Sequence, residues 1–345
     1  MRKNTLLFAL LFCGVFQSLA QWTPITLETK ASFRAIRSLG SHIWIGGTRG
    51  SVIHSSDGGE HFTVSQVPGA DSLDFRDLAI LDGNTILLMS AGHAENGAAK
   101  IFRTENGGLN WEIPFLIKEK GYFFDAITWD GKQGLVLSDP AGPFYGLIRI
   151  SEKGRSYKLL NPAEHPALQK GEAAFAASGS SLQKTKNGYY IVTGGGEKAR
   201  VLFSKDALNW ESTFAEIPGG EGTGFFSLGV RHPANLWIGG GNYSRIKEGP
   251  VPVLESKDAG VSWSPVAGAP AYYVEKILWA DPYWILSGPA ESSAFDPKKK
   301  QWISLGKSPY HNLCLVGDRI YGVGGRGQIG FISLSQIQQL FLPKE

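Results

Sequence analysis

Cysteine is nearly absent from this chain of 345 residues, which holds only Cys13 and Cys314. Cys13 falls inside an apolar N-terminal run, so a processed chain keeps Cys314 alone and has neither an internal disulfide nor a thiolate metal site. Charge of one sign is lacking too: 34 basic residues against 31 acidic give a formal +3. Nucleic acid and anionic membrane surfaces call for a basic field, so both are excluded as partners. No segment after the N-terminal run approaches the ~18 apolar residues of a spanning helix. Helical periodicity is absent apart from a short tail near Ile337, and the glycine triplets at 194–196 and 239–241 precede no helix, which removes the dinucleotide-binding reading. The seven histidines, His42, His54, His61, His93, His165, His232 and His311, show no metal-ligand spacing, so no metal and no cofactor is expected.

The first 20 residues do carry a pattern: Arg2 and Lys3, an apolar stretch from Leu6 to Phe16, then small residues ending Ser18-Leu19-Ala20. This is the layout of a signal peptide cleaved near Ala20, and it predicts a periplasmic or secreted protein. Phe12 before Cys13 is too large for a lipidation site. Loss of Arg2 and Lys3 lowers the formal charge from +3 to +1.

What the chain has in quantity is glycine and large aromatics, and the aromatics repeat. Trp22, Phe62, Trp111, Tyr157, Trp210, Trp263 and Trp302 recur at intervals of roughly 40 to 53 residues, each opening a short strand. Between them lie alternating β-branched and aromatic segments separated by turn residues. FRAIRSLG (33–40), HIWIGG (42–47), SVIHSS (51–56) and HFTVSQV (61–67) make the first unit of four, and 174–182, AFAASGSSL, reads as the first strand of the fourth. The last unit supplies three strands between His311 and Leu334, while WTPITL (22–27) has no partner near it in sequence. The N-terminal strand therefore completes the last unit. The expected fold is an all-β, seven-bladed β-propeller of four-stranded antiparallel blades over residues 21–334, monomeric, followed by a tail at 335–345.

Five of the repeats carry a turn: SSDGGEHF, TENGGLNW, SEKGRSY, SKDALNW and SKDAGVSW. Asp57, Asn106, Asp206 and Asp258 occupy its acceptor position, where a short oxygen-bearing side chain collects backbone N–H groups. These residues are expected to staple the turns rather than to bind or catalyse. The turns resemble the Asp-box, or BNR, repeats of sialidases and other secreted propellers. The strings LDFRDLAI (73–80), FFDAI (123–127), LSDP (137–140), GEAAFAASG (171–179) and GFFSLG (224–229), in this order, resemble bacterial relatives of the photosystem II stability and assembly factor family. That resemblance runs through nearly the whole mature chain. It implies a seven-bladed propeller and, for the photosynthetic members, a role in assembling a protein complex. Generic oxidoreductase or glycosyl hydrolase labels borne by such relatives have no cofactor motif or complete catalytic set behind them here.

Each repeated turn joins third to fourth strands, so it shares a face with the link between first and second strands. The other face collects the variable loops, the usual place for binding on a rigid ring. Ligand-binding candidates there are Arg34, Arg76, Asp77, Tyr145, Tyr243, Glu275 and His311, because arginines and acids converging on a channel can grip carboxylates or sugars through forked hydrogen bonds. A structural alternative makes them mutually satisfied walls of a water-filled pore. Asp125, Asp139 and Glu172 are the candidate catalytic carboxylates. The reading that follows is a binding or assembly scaffold whose partner is a protein or an extracellular glycan. The alternative is a glycoside-processing enzyme, sialidase-like or of another hydrolase class, using the channel-mouth acids. If the chain is an enzyme, glycoside hydrolysis fits better than oxidoreduction.

Overall fold

A computed structural model describes residues 22–247, 253–307 and 309–343. The expected leader, 1–20, lies outside the described residues, as do 248–250 of one predicted loop and the last two residues of the tail.

Alternating apolar strands that bury both faces must stack sheet on sheet, and here they do so around a ring. Seven four-stranded antiparallel sheets form a seven-bladed propeller. Blade 1 runs Phe33–Leu39, His42–Gly47, Ser51–Ser55 and Thr63–Gln66 from axis to rim. Blades 2 to 6 follow at 74–116, 124–160, 182–218, 223–265 and 276–306. Blade 7 takes Tyr310–Val316, Arg319–Gly324 and Ile329–Ser333 from the C-terminal end, and its outermost strand is Thr23–Ile25, paired antiparallel to Ile329–Phe331. The expected closure by the N-terminal strand is what the structure shows.

The repeating aromatics bind blade to blade. Phe62 meets Tyr321 of blade 7, Trp111 meets Trp44 of blade 1, Tyr157 stacks on Phe115 of blade 2, Trp210 meets Phe144 of blade 3 and Trp302 meets Trp237 of blade 5. Each aromatic thus reaches back to the preceding sheet, contributing apolar area and a preferred ring geometry at once. After the last blade strand, Ser333 and Gln336 form a reciprocal capping box that starts a helix, Leu334–Leu340. Ile337 is buried and the Phe341 ring stacks on Tyr283 at 5.3 Å, so this end of the chain packs on blade 6.

Two departures from a regular ring shape its centre. The innermost strands carry β-bulges between Phe33 and Ala35, Phe75 and Asp77, Phe124 and Ala126, Phe225 and Ser227, and Tyr310 and Asn312. A bulge sets two residues against one and re-aims a side chain. The residues so displaced are Arg34, Arg76, Asp125, Phe226 and His311.

The second departure corrects the expected strand at 174–182. Only Leu182–Lys184 pairs in blade 4. The preceding residues leave the sheet and cross the axis, where Asn312 of blade 7 donates to Ser178 O at 2.9 Å, Arg37 of blade 1 to Gly179 O at 3.2 Å, and Lys276 Nζ of blade 6 to Ser180 Oγ at 2.8 Å. Ser178 Oγ in turn donates to Glu275 O at 2.6 Å. Small side chains fit an axis crowded by seven strands, and their hydroxyls satisfy polar groups that the channel would otherwise strand. The centre is a hydrogen-bonded plug rather than an open water-filled pore.

Candidate functional site

The plug forms the floor of a cavity of about 440 Å³ at the mouth of the axis. Phe175, Ala176 and Ala177 come from the plug, and Phe226, Tyr243 and Tyr273 build one wall. Phe175 and Phe226 stack with centroids 3.9 Å apart, and Tyr243 stands edge-on to both at 6.5 Å. Tyr243 is 51% exposed, an unusual exposure for a large ring and one that leaves a face open to a ligand.

The opposite wall is charged. Arg34 Nη1 lies 3.1 Å from Glu275 Oε1, and His311 Nδ1 lies 2.5 Å from Glu275 Oε2. Burial pushes the Glu275 carboxyl up, but His311 and Arg34 outweigh it and hold the group below the ordinary glutamate range, so it is ionised. Arg76 Nε donates to Asp74 at 2.8 Å. The arginine side chains keep 26% and 33% of their surface, so each guanidinium has N–H donors left for a ligand.

Arg34, Arg76, Glu275, His311 and Tyr243 therefore gather at one cavity. Asp77 does not: it is fully buried, ion-paired to Arg37 at 3.0 Å, and accepts from the N–H groups of Leu78 and Ile127, tying blades 1, 2 and 3 together at plug level. It sits one place past the bulge, so its side chain enters the interior while Arg76 reaches the mouth. Tyr145 is also buried, beside a separate groove of about 350 Å³ with Phe144 and His165.

The three candidate catalytic carboxylates lie behind the wall. Arg200 holds both oxygens of Glu172, with Nε 2.9 Å from Oε1, inside blade 4. Asp125 and Asp139 neighbour each other within blade 3, both raised above the ordinary aspartate range, first by burial and for Asp125 also by its like-charged neighbour. The turn residues keep to the far face. Asp57 Oδ1 accepts from the N–H groups of Glu60 and His61, Asp206 Oδ1 from Leu208 and Asn209, Asp258 Oδ1 from Ser262 and Asn106 Oδ1 from Asn110. Among the described residues no group of three or more His, Cys, Asp or Glu is placed to hold a metal ion.

Sequence reasoning passed over Phe175, Phe226 and Tyr273. A signal for Phe226 was present: it directly follows an aromatic, Phe225, as Arg34, Arg76, Asp125 and His311 follow Phe33, Phe75, Phe124 and Tyr310, and these are the bulge residues.

No family model matches the chain, and no curated protein does. Among solved structures it is similar to YCF48 from Cyanidioschyzon merolae, with TM-score 0.68 and 14% identity over 92% of this chain and 100% of that one. It is also similar to the Neurospora crassa Pan2 WD40 domain, at TM-score 0.59 and 13% identity over 87% and 88%, and to Saccharomyces cerevisiae Sqt1, at 0.57 and 10% over 91% and 98%. At these identities the likeness establishes the propeller fold.

Proposed function

We propose that this propeller is a binding or assembly scaffold that seats a segment of a protein partner in the cavity at the axis mouth. The observation that carries the reading is the amphipathic cavity itself: a stacked aromatic wall of Phe175, Phe226 and Tyr243 opposite the partly free guanidiniums of Arg34 and Arg76. An apolar side chain fits the first wall and a carboxylate the second. The resemblance to the photosystem II stability and assembly factor family, with its implied role in complex assembly, supports the same reading. The Arg2–Lys3, Leu6–Phe16 and Ser18–Ala20 pattern supports action in the periplasm or outside the cell, testable by the N-terminal mass of the exported chain.

Selection from a random heptapeptide display library tests the cavity. The expected result is enrichment of peptides pairing an aromatic or aliphatic residue with an acid, with binding weakened at least about tenfold by Arg34→Gln or Tyr243→Ala, since ~1.4 kcal/mol is tenfold. Enrichment indifferent to both variants overturns the reading. Glycan hydrolysis lost in Asp125→Asn would favour the glycoside-processing alternative, as would glycan rather than peptide capture for a glycan-binding scaffold.

A further inference from the structure

The two raised aspartates behind the cavity wall are placed by facing irregularities in blade 3. Asp125 is the extra residue between Phe124 and Ala126 on the innermost strand, and Asp139 interrupts the register between Ser138 and Pro140 on the next. Phe124 pairs with Ser138, so the two bulges lie side by side and each places its carboxyl near the other's. Asp125 is 1% exposed and its Oδ2 has no hydrogen-bond partner. Asp139 accepts one bond, from Ala174 N at 3.1 Å. The Tyr145 hydroxyl, on a residue 2% exposed, also lacks a partner and lies in the field of Glu172, Asp139 and Asp125. An unpartnered buried oxygen is costly, and two buried carboxylates cannot both stay ionised cheaply.

We propose that Asp125 and Asp139 together form a proton-binding site that holds one shared proton, and that Arg76 links this site to the cavity. The remaining charged groups around the pair are His93 beside Asp139, and Glu172 with its partner Arg200 beyond Tyr145. Glu172 and Arg200 neutralise each other, so the cation that faces Asp125 is Arg76, itself ion-paired to Asp74 at 2.8 Å. Arg76 also lines the cavity and favours the ionised form of Asp125. A ligand carboxylate seated on Arg76 offsets that cation and draws a proton onto the pair, so binding is accompanied by proton uptake. The proton site stands on the geometry of blade 3; only its consequence for binding rests on the proposed function.

Carbon-detected NMR titration of ligand-free protein labelled at the aspartate carboxyl carbon tests the site separately from any partner. Two carboxyl signals are expected to respond together to one proton released above the ordinary aspartate range, burial lifting Asp139 to about 6 and holding Asp125 raised as well. Asp139→Asn should leave Asp125 titrating alone at lower pH because its like-charged neighbour is gone, and Asp125→Asn provides the reciprocal measurement should the first variant fail to fold. Arg76→Gln, which mimics neutralisation by a ligand, should move the midpoint upward. Two aspartates titrating below about pH 4.5, or each indifferent to replacement of the other, would overturn the site. A midpoint unmoved in Arg76→Gln would overturn the link.

Discussion

The Trp22 indole N–H donates to the Ser292 hydroxyl at 3.1 Å across 270 residues of sequence. The same ring lies 4.5 Å from that of Tyr310 and is 8% exposed, so the N-terminal strand is locked to blade 6 as well as hydrogen-bonded within blade 7. Trp22→Ala should cost about 3–5 kcal/mol, the usual range for truncating a buried aromatic, whereas Trp22→Phe should lose mainly the hydrogen bond, about 1 kcal/mol. Urea unfolding reads both. An unchanged midpoint for Trp22→Ala would mean that this closure does not stabilise the ring.

Gly179 sits at a crowded point of the axial plug. Its φ is +65°, and a Cβ added there would fall on the Asp77 carboxylate that Arg37 holds. Gly179→Ala combines left-handed strain with a clash against a buried ion pair, so a marked drop in thermal midpoint or loss of soluble protein is expected. Gly142→Ala, where an added Cβ meets nothing within 4 Å, should leave the midpoint nearly unchanged and serves as the control. Equal behaviour of the two variants would show that the plug tolerates displacement.

The ring was legible in the chain because its determinants are local and repeated: a strand-opening aromatic recurs seven times among alternating strands, and five of the repeats add the turn. The plug was not. AFAASGSSL has the length and polarity of a strand, and what removes it from blade 4 are bonds to Arg37, Lys276 and Asn312, residues whose nearness only the closed ring creates. The site was half legible for a related reason. Arg34, Arg76 and His311 were placed at the mouth from their position in first strands, but a bulge shifts facing by one residue, and so Asp77 next to Arg76 turns inward to Arg37 instead.

Lys276 gives the plug a pH dependence. Burial, followed by the nearby Arg37, lowers its ammonium to about 7, with Asp77 and Cys314 opposing. An unfolded lysine titrates near 10.4, so between those limits the unfolded chain binds more protons than the folded one and stability rises with pH. The penalty for charging the amine is complete below about pH 7. Lys276→Met, which keeps the chain length and removes the ionisation, should therefore improve the thermal midpoint relative to wild type more at pH 6 than at pH 9.5. A difference independent of pH would show that Lys276 is ordinarily protonated where it sits.

The stapled turns predict the opposite limb of the curve. Asp206 is lowered to about 2 by the N–H groups of Asn209 and Leu208, and Asp258 to about 2 by the hydroxyl and N–H of Ser262, while the N–H and ring of His61 lower Asp57 further. Unfolded aspartates titrate near 3.9, so each turn contributes stability that is present above that value and lost as pH falls through the folded value. The groups are solvent-exposed, so each contribution is small, and the three must be changed together to be read. Blade 2 supplies the design of the experiment, since Asn106 makes the equivalent turn without a charge, accepting from Thr104 Oγ1 at 3.0 Å and Asn110 N at 2.9 Å. The triple variant Asp57→Asn, Asp206→Asn, Asp258→Asn should fold, lose a modest amount of stability at pH 7, and show a shallower decline between about pH 4 and pH 2 than the wild type. Parallel acid limbs in the two proteins would mean that turn geometry alone, without the carboxylate charge, does the stapling.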